Sequence, residues 1–381
     1  MKRTGLSWVP YIPDSWNVVR IKDIARLQSG EGITSDSIDS IGDYPVFGGN
    51  GLRGYTDSYT NEGNYVLIGR QGALCGNINY ANGKFFASEH AVVVYPHDRK
   101  ENTTWLGETL RAANLNRLSA SAAQPGLAVS VLNFQFIPYP PKEVRKRIGN
   151  YLDEKLVEIN KRITSLEKQQ DAYVRLKKSI IHQAVTRGLN PDVSLKDSGI
   201  EWIGMIPEHW RGLHLKHCVT INNGCDYKHI ETESGIPVIG SGGQFAFVSE
   251  AMYTGEALLL GRKGTIDKPM YFNGPFWTVD TMFYAIANKN VYTKYIYYYA
   301  TIFPFNKIST ATALPSMTQT DLYQLPVMLP PLSEQKAIAC YLNEKCAKID
   351  SAIENIGKQI DASKRLKRAL INEVITGQRA V

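Results

Sequence analysis

The chain carries one unit twice, and that repeat limits its possible folds more than any other feature. Ile12-Pro13-Asp14-Ser15-Trp16 returns as Ile206-Pro207-Glu208-His209-Trp210, 194 residues later. Gly5 and Trp8 match Gly199 and Trp202 at the same offset. Tyr44-Pro45-Val46-Phe47-Gly48 matches Ile236-Pro237-Val238-Ile239-Gly240, and Leu67-Ile68-Gly69-Arg70-Gln71-Gly72 matches Leu259-Leu260-Gly261-Arg262-Lys263-Gly264, both 192 residues on. Pro140-Pro141 matches Pro330-Pro331 at an offset of 190. Such small drift is what insertions and deletions in loops produce. The 381 residues leave room for two or three domains, and two diverged copies fill nearly all of them.

Each copy has two parts. Residues 1–139 and 190–329 are rich in Gly, aromatic and β-branched residues in short runs such as Tyr65–Ile68, Ala91–Tyr95 and Ala257–Leu260. Gly-rich turns bound these runs, so they read as strands, with helices expected at 105–118 and 295–308. The fold class is therefore α+β (mixed α/β). Residues 140–189 and 330–381 differ in kind. After each Pro-Pro pair, apolar residues recur in steps of three and four: Ile148, Leu152, Leu156, Ile159, Ile163, Leu166, Tyr173, Leu176 and Ile180 in the first copy. The second reads Ile338, Leu342, Cys346, Ile349, Ile353, Ile356, Ile360, Leu366 and Leu370. This is the seam of a long coiled-coil helix, about 65–70 Å long at 1.5 Å per residue. A single apolar stripe of that length needs a partner, and the other copy supplies it. Symmetric packing of two such helices requires them to run antiparallel, with the two sheet-rich domains at opposite ends of a rod.

Composition excludes several classes. Hydrophobic residues at 43% and charged residues at 21% fit a globular chain rather than a disordered one. No run approaches the roughly 18 apolar residues of a membrane span, and the opening Met1-Lys2-Arg3-Thr4-Gly5 lacks a secretory core, so a cytoplasmic location is expected. The five cysteines do not form a disulfide framework. His214, His217, Cys218, Cys225 and His229 cluster, but with no standard zinc spacing; Cys218 aligns with Ile24 and reads as core. No metal site is expected. Phe47-Gly48-Gly49-Asn50-Gly51 fits the loose Phe-x-Gly-x-Gly pattern of an adenosylmethionine site, yet no Asn/Asp-Pro-Pro-Tyr/Phe motif accompanies it and the second copy departs from it. No Walker loop follows Gly264, and Asp153-Glu154-Lys155 reads as a solvated helix face. No catalytic residues are assigned.

Binding features are stronger. The net charge of +7 suits a nucleic-acid partner. Gly69-Arg70-Gln71-Gly72 and Gly261-Arg262-Lys263-Gly264 each follow an apolar run and place an arginine on a tight turn, where it can take two guanine acceptors or clamp a phosphate. The alternative is a surface turn with a solvated arginine. Ser121, Gln124, Thr310 and Thr312 lie in matching small-residue loops suited to phosphate or groove contact, or to a tight packing corner. Asn50, Arg53 and Gln244 complete the candidate DNA contacts, together with Gln71 and Lys263. Residues 142–187 hold twelve Lys/Arg against six Asp/Glu, which suits DNA or an acidic partner.

These residues, in this order and twice over, resemble the specificity subunit of type I restriction-modification systems. The carriers are the Ile-Pro-x-x-Trp openings (Ile12–Trp16, Ile206–Trp210), the Gly-Arg-x-Gly turns, Pro330-Pro331-Leu332-Ser333-Glu334-Gln335-Lys336, and the helix ends Ala184–Gly188 and Val374–Gly377. Copy one departs at Pro140-Pro141-Lys142-Glu143-Val144-Arg145. The resemblance implies a non-catalytic reader of double-stranded DNA, with two target recognition domains each reading half of a split target and helices that space the halves. It implies two adenine-N6 methyltransferase subunits carrying S-adenosylmethionine, a restriction subunit using ATP and Mg2+, and no cofactor on this chain. Two rivals remain open: a stand-alone adenine-N6 DNA methyltransferase resting on Phe47–Gly51, and a structural scaffold that binds no DNA.

Overall fold

A computed structural model of the protein describes residues 1–72, 74–119, 126–309 and 315–381. The chain divides into two units, one of Met1–Glu167 with Lys358–Val381, the other of Lys168–Gly357. In the first unit the strands Ala25–Ser29, Ala91–Pro96, Tyr65–Gly69 and Ile78–Ala81 form an antiparallel sheet in that order. A second sheet holds Gly51–Thr56, Tyr44–Gly48, Lys84–Ala87 and Asn61–Glu62. Val66, Ile68, Val92 and Val94 face one core, with Trp105, Leu106 and Leu110 of the helix Thr103–Ala112. Leu67 and Val93 face another, with Phe85. Burial on both faces explains why these strands read as unbroken apolar runs rather than as alternating ones.

The second unit keeps this pairing in one seven-stranded sheet. Its strand Met270–Thr278 runs through where the first copy breaks between Ala81 and Lys84. Gly83 turns the chain there at φ +75, whereas its counterpart Gly274 stays paired with Gly255. The parallel contact is kept: Phe86 opposes Val46, and Trp277 opposes Val238. Each expected helix is two. Thr103–Ala112 is followed by a separate turn Leu115–Leu118 because Asn114 is left-handed at φ 47. Thr293–Ala300 and Phe305–Ile308 are separate, with Pro304 starting the second. Tyr295 and Tyr299 are buried in the core, the former donating its hydroxyl to Met328 O at 2.6 Å.

The long helices span Lys142–Arg187 and Leu332–Ile375. Within each unit their halves run antiparallel. In the first unit Lys367 Nζ donates to Asn160 at 2.8 Å and Lys364 pairs with Glu167 at 3.3 Å. In the second, Gln170 donates to Ile353 O at 3.3 Å and Lys177 pairs with Asp350 at 2.7 Å. Ile148, Leu152, Ile163, Leu342, Ile349, Ile356 and Ile360 are buried; Leu156, Ile159, Leu166 and Ile353 are half-buried. Leu366 corrects the seam read from sequence, because it is 57% exposed while Ser363 and Leu370 turn inward. Six residues at roughly 100° each carry Leu366 about 240° round from Ile360, onto the outer face. Leu176 is exposed as well. Among the described residues no helix is long and apolar enough to cross a membrane.

The Ile-Pro-x-x-Trp motif now has a physical role: it seats the far end of a helix. In the first unit Pro13 and Trp16 pack on Gly377, where a Cβ would stand 2.5 Å from Pro13 Cδ and 3.1 Å from Trp16 Cη2. In the second, Trp210 packs on Gly188 and donates its Nε1–H to Glu334 at 3.1 Å. Both glycines end their helices in the left-handed region, at φ +73 and +74, a conformation that costs other residues roughly 1–2 kcal/mol. Gly377→Ala is therefore expected to lower stability by at least about 1–2 kcal/mol. Denaturant unfolding checks this, and an unchanged midpoint would defeat the seating argument.

The helix starts differ chemically between the copies. Arg145 and Gln335, 190 residues apart, occupy matching positions. Arg145 pairs with Glu101 at 2.8 Å, both nearly fully buried, donates to Pro140 O at 2.7 Å and lies 4.0 Å over the Tyr139 ring. Gln335 donates to Pro330 O and Asn290 O at 2.9 and 3.0 Å, and accepts from Tyr292 N at 2.8 Å. The departure from Pro-Pro-Leu-Ser-Glu-Gln is thus a second solution to one packing problem.

Candidate nucleic-acid interface

Three segments of the first unit meet at one end of its strands: the hairpin turn Gly48–Gly51, the turn Gly69–Gly72, and the chain before Ala91. A Cβ on Gly49 would lie 2.7 Å from Gln71 O and 3.4 Å from His90 O, so only glycine admits this approach. Arg70 is held on both sides by backbone, its N–H donating to His90 O and its carbonyl accepting from Leu127 N, both at 2.8 Å. Gln71 bridges to Gly126. The second unit repeats the clamp: Arg262 N donates to Thr281 O at 2.8 Å, Met317 N donates to Arg262 O at 2.9 Å, and Lys263 bridges to Ser316.

Each arginine side chain is tied to a neighbouring segment. Both are half-buried. Arg70 Nη1 donates to Ser29 Oγ at 3.3 Å, and Arg262 Nη1 donates to Asp280 O at 3.3 Å while its guanidinium faces the Phe283 ring at 5.7 Å. The exposed positions of the turns belong to Gln71 and Lys263. Gln71 joins Asn50, Leu52, Arg53 and His90 around a concavity of 590 Å³. The structure so brings together three residues chosen from sequence, Asn50, Arg53 and Gln71, and adds His90, whose place depends on long-range pairing. Gln244 is exposed on the matching hairpin of the second unit, opposite Ile239. Ser121, Gln124, Thr310 and Thr312 lie outside the described residues.

One scaffold carries different side chains in the two copies. At matching positions stand Asn50 and Gly242, Leu52 and Gln244, Arg53 and Phe245, Gln71 and Lys263, each pair 192 residues apart. Phe47–Gly51 is a strand end and hairpin turn, Gly48 opposing Gly51. Cys218 is buried in the core, and burial pushes its thiol up to about 11.

A duplicated sheet domain, with an antiparallel helix pair seated on its motif tryptophan, defines a class of two-unit scaffold. The family model for the type I restriction modification DNA specificity domain matches residues 13–169 and 207–361. The chain belongs to this family of type I restriction-modification specificity subunits. It is 24% identical to the MjaVIII specificity subunit of Methanocaldococcus jannaschii, over 96% of this chain and 93% of that one. Its 37% identity to the EcoprrI specificity subunit of Escherichia coli spans 163 residues, 42% of this chain and only 40% of that one. Among solved structures, a chain from work on complex assembly and conformational transition of the type I R-M system shares the fold. Its TM-score is 0.70 at 15% identity, covering 97% of this chain and 100% of that one.

Proposed function

We propose that this chain is the non-catalytic DNA-reading subunit of a type I restriction-modification complex. Residues 1–139 and 190–329 are the target recognition domains, each reading one half of a split target in double-stranded DNA. The helices within 140–189 and 330–381 set the gap and dock two methyltransferase subunits, which bring S-adenosylmethionine; a restriction subunit brings ATP and Mg2+. One observation carries this reading: the same backbone clamp recurs in both copies while the exposed side chains upon it differ. A shared scaffold with divergent contact residues is what reading two unlike half-sites requires. Methylation-aware sequencing of host DNA, with and without the gene, tests it. Adenines within one split motif are expected to lose methylation on deletion, and an unchanged methylome would reject the assignment.

The turn residues should separate by chemistry. Gln71 can bond a base edge, so Gln71→Ala is expected to weaken one half-site by about 1–3 kcal/mol with the other untouched. Lys263 is a point charge suited to phosphate. Lys263→Ala should weaken all sequences alike and reduce the salt slope by about 1. Binding titrations of the assembled complex at several salt concentrations read both effects, and sequence-selective loss in Lys263→Ala would reverse the assignment.

A further inference from the structure

Each hairpin at the candidate interface carries a bulge at the same place. In the first copy Val46 opposes Gly54 but Phe47 opposes Leu52, so Arg53 has no partner across the ladder. In the second, Val238 opposes Ala246 and Ile239 opposes Gln244, which leaves Phe245 over. These two residues are counterparts in the repeat, 192 positions apart. A bulge bends its strand and re-aims the extra side chain. Both side chains are exposed, Phe245 at 55%.

The local packing supports the same outcome in both copies. A Cβ on Gly48 would collide with Arg53 Cδ, and one on Gly240 would stand 3.1 Å from Phe245 Cε1. Each bulged side chain therefore lies across a glycine at the end of the preceding strand. Arg53 so reaches the concavity that holds Asn50 and Gln71. Phe245 is propped edge-on by Tyr227, centroids 5.4 Å apart at 85°. A ring held in place with half its surface in water is poised for an apolar contact that water does not supply.

We propose that the bulged residue is a specificity-determining contact of each recognition domain, Arg53 reading a guanine and Phe245 the methyl group of a thymine. The inference rests on the DNA-reading function above. Guanine presents two adjacent acceptors, O6 and N7, in the major groove, which a guanidinium takes with two donors. Phenylalanine offers neither donor nor acceptor, and the C5-methyl of thymine is the one apolar feature there. One backbone device, filled with two chemistries, thus gives the half-sites different letters.

The test uses the full complex with its methyltransferase subunits, the target first being defined by methylation-aware sequencing. One half-site should contain a guanine whose preference falls by about tenfold or more in Arg53→Ala, the other half-site being unaffected. Arg53→Lys keeps the charge without the fork, and should lose the same preference while keeping the salt dependence. Phe245→Ala should relax one thymine in the opposite half-site. Replacing that thymine with deoxyuridine, which lacks the methyl, should cost the unmodified complex as much. Uniform, salt-sensitive loss in Arg53→Ala would mark a phosphate contact and overturn the proposal. So would an unchanged motif in Phe245→Ala, or deoxyuridine read as well as thymine. A complex that methylates no split sequence even with the natural chain would instead reject the DNA-reading function, and the inference with it. Co-purification of each variant with the methyltransferase subunits verifies that assembly is intact.

Discussion

Replacing Arg145 with methionine is expected to destabilise the first unit by about 3–5 kcal/mol, the range for removing one partner of a buried ion pair. Glu101 would keep its carboxylate at 7% exposure with its cation gone. The arginine also donates to Pro140 O and covers the Tyr139 ring, so the carbonyl at the helix start loses its donor too. Replacing both partners, Arg145→Met with Glu101→Leu, should recover much of the loss, because an apolar pair of similar volume carries no desolvation cost. Gln335→Leu at the matching position removes neutral hydrogen bonds only and should cost about 1–3 kcal/mol. Denaturant titration of the four proteins reads this directly. A single variant within about 1 kcal/mol of the natural chain would mean that Glu101 finds another partner or reaches water.

Lengthening both long helices by one heptad, beside Leu166 in the first and Ile356 in the last, is expected to widen the gap between half-sites by about three base pairs. Seven residues preserve the apolar register of the seam and add about 10 Å of helix, against roughly 3.4 Å per base pair. The half-sites themselves should be unchanged, because no residue of the clamps or hairpins is altered. Three added base pairs also rotate one half-site by nearly a third of a turn, so activity should fall unless the DNA twists or bends to compensate. Sequencing the sites methylated by the reconstituted complex measures the gap. An active variant that keeps the original gap would show that the helices do not set it.

Much of the scaffold was legible because it is local or periodic. The long helices follow from apolar residues every three or four positions and from the Pro-Pro pairs that precede them. The buried strands follow from runs such as Val66–Ile68 and Val92–Val94, apolar on both faces. Leu366 was misplaced because a list of apolar residues ignores rotation about the helix, and a six-residue step leaves the inward face. The candidate interface was legible in part. Asn50, Arg53 and Gln71 converge on one concavity, while Arg70 and Arg262 are half-buried, with Nη1 donating to Ser29 Oγ and to Asp280 O. Phe245 was not among the residues chosen from sequence; it aligns with Arg53 in the repeat, but its exposure and its bulge are set by the fold.

What the sequence determined by itself is the duplication, the α+β class, the two long helices and the family resemblance. All depend on spacing along one chain or on similarity between its halves. Tertiary structure decided which residues become distinctive. Arg145 became a buried cation because Glu101 approaches it from a separate segment, and Gly377 became costly to replace because Pro13 and Trp16 close on it from the other end of the chain. Arg53 and Phe245 became bulged through the register of strand pairing, which is set by hydrogen bonds between neighbours and the faces they bury. The first two belong to contacts between segments far apart in the chain, the bulges to a pairing offset within a hairpin, and a linear pattern records neither which segments will meet nor in what register.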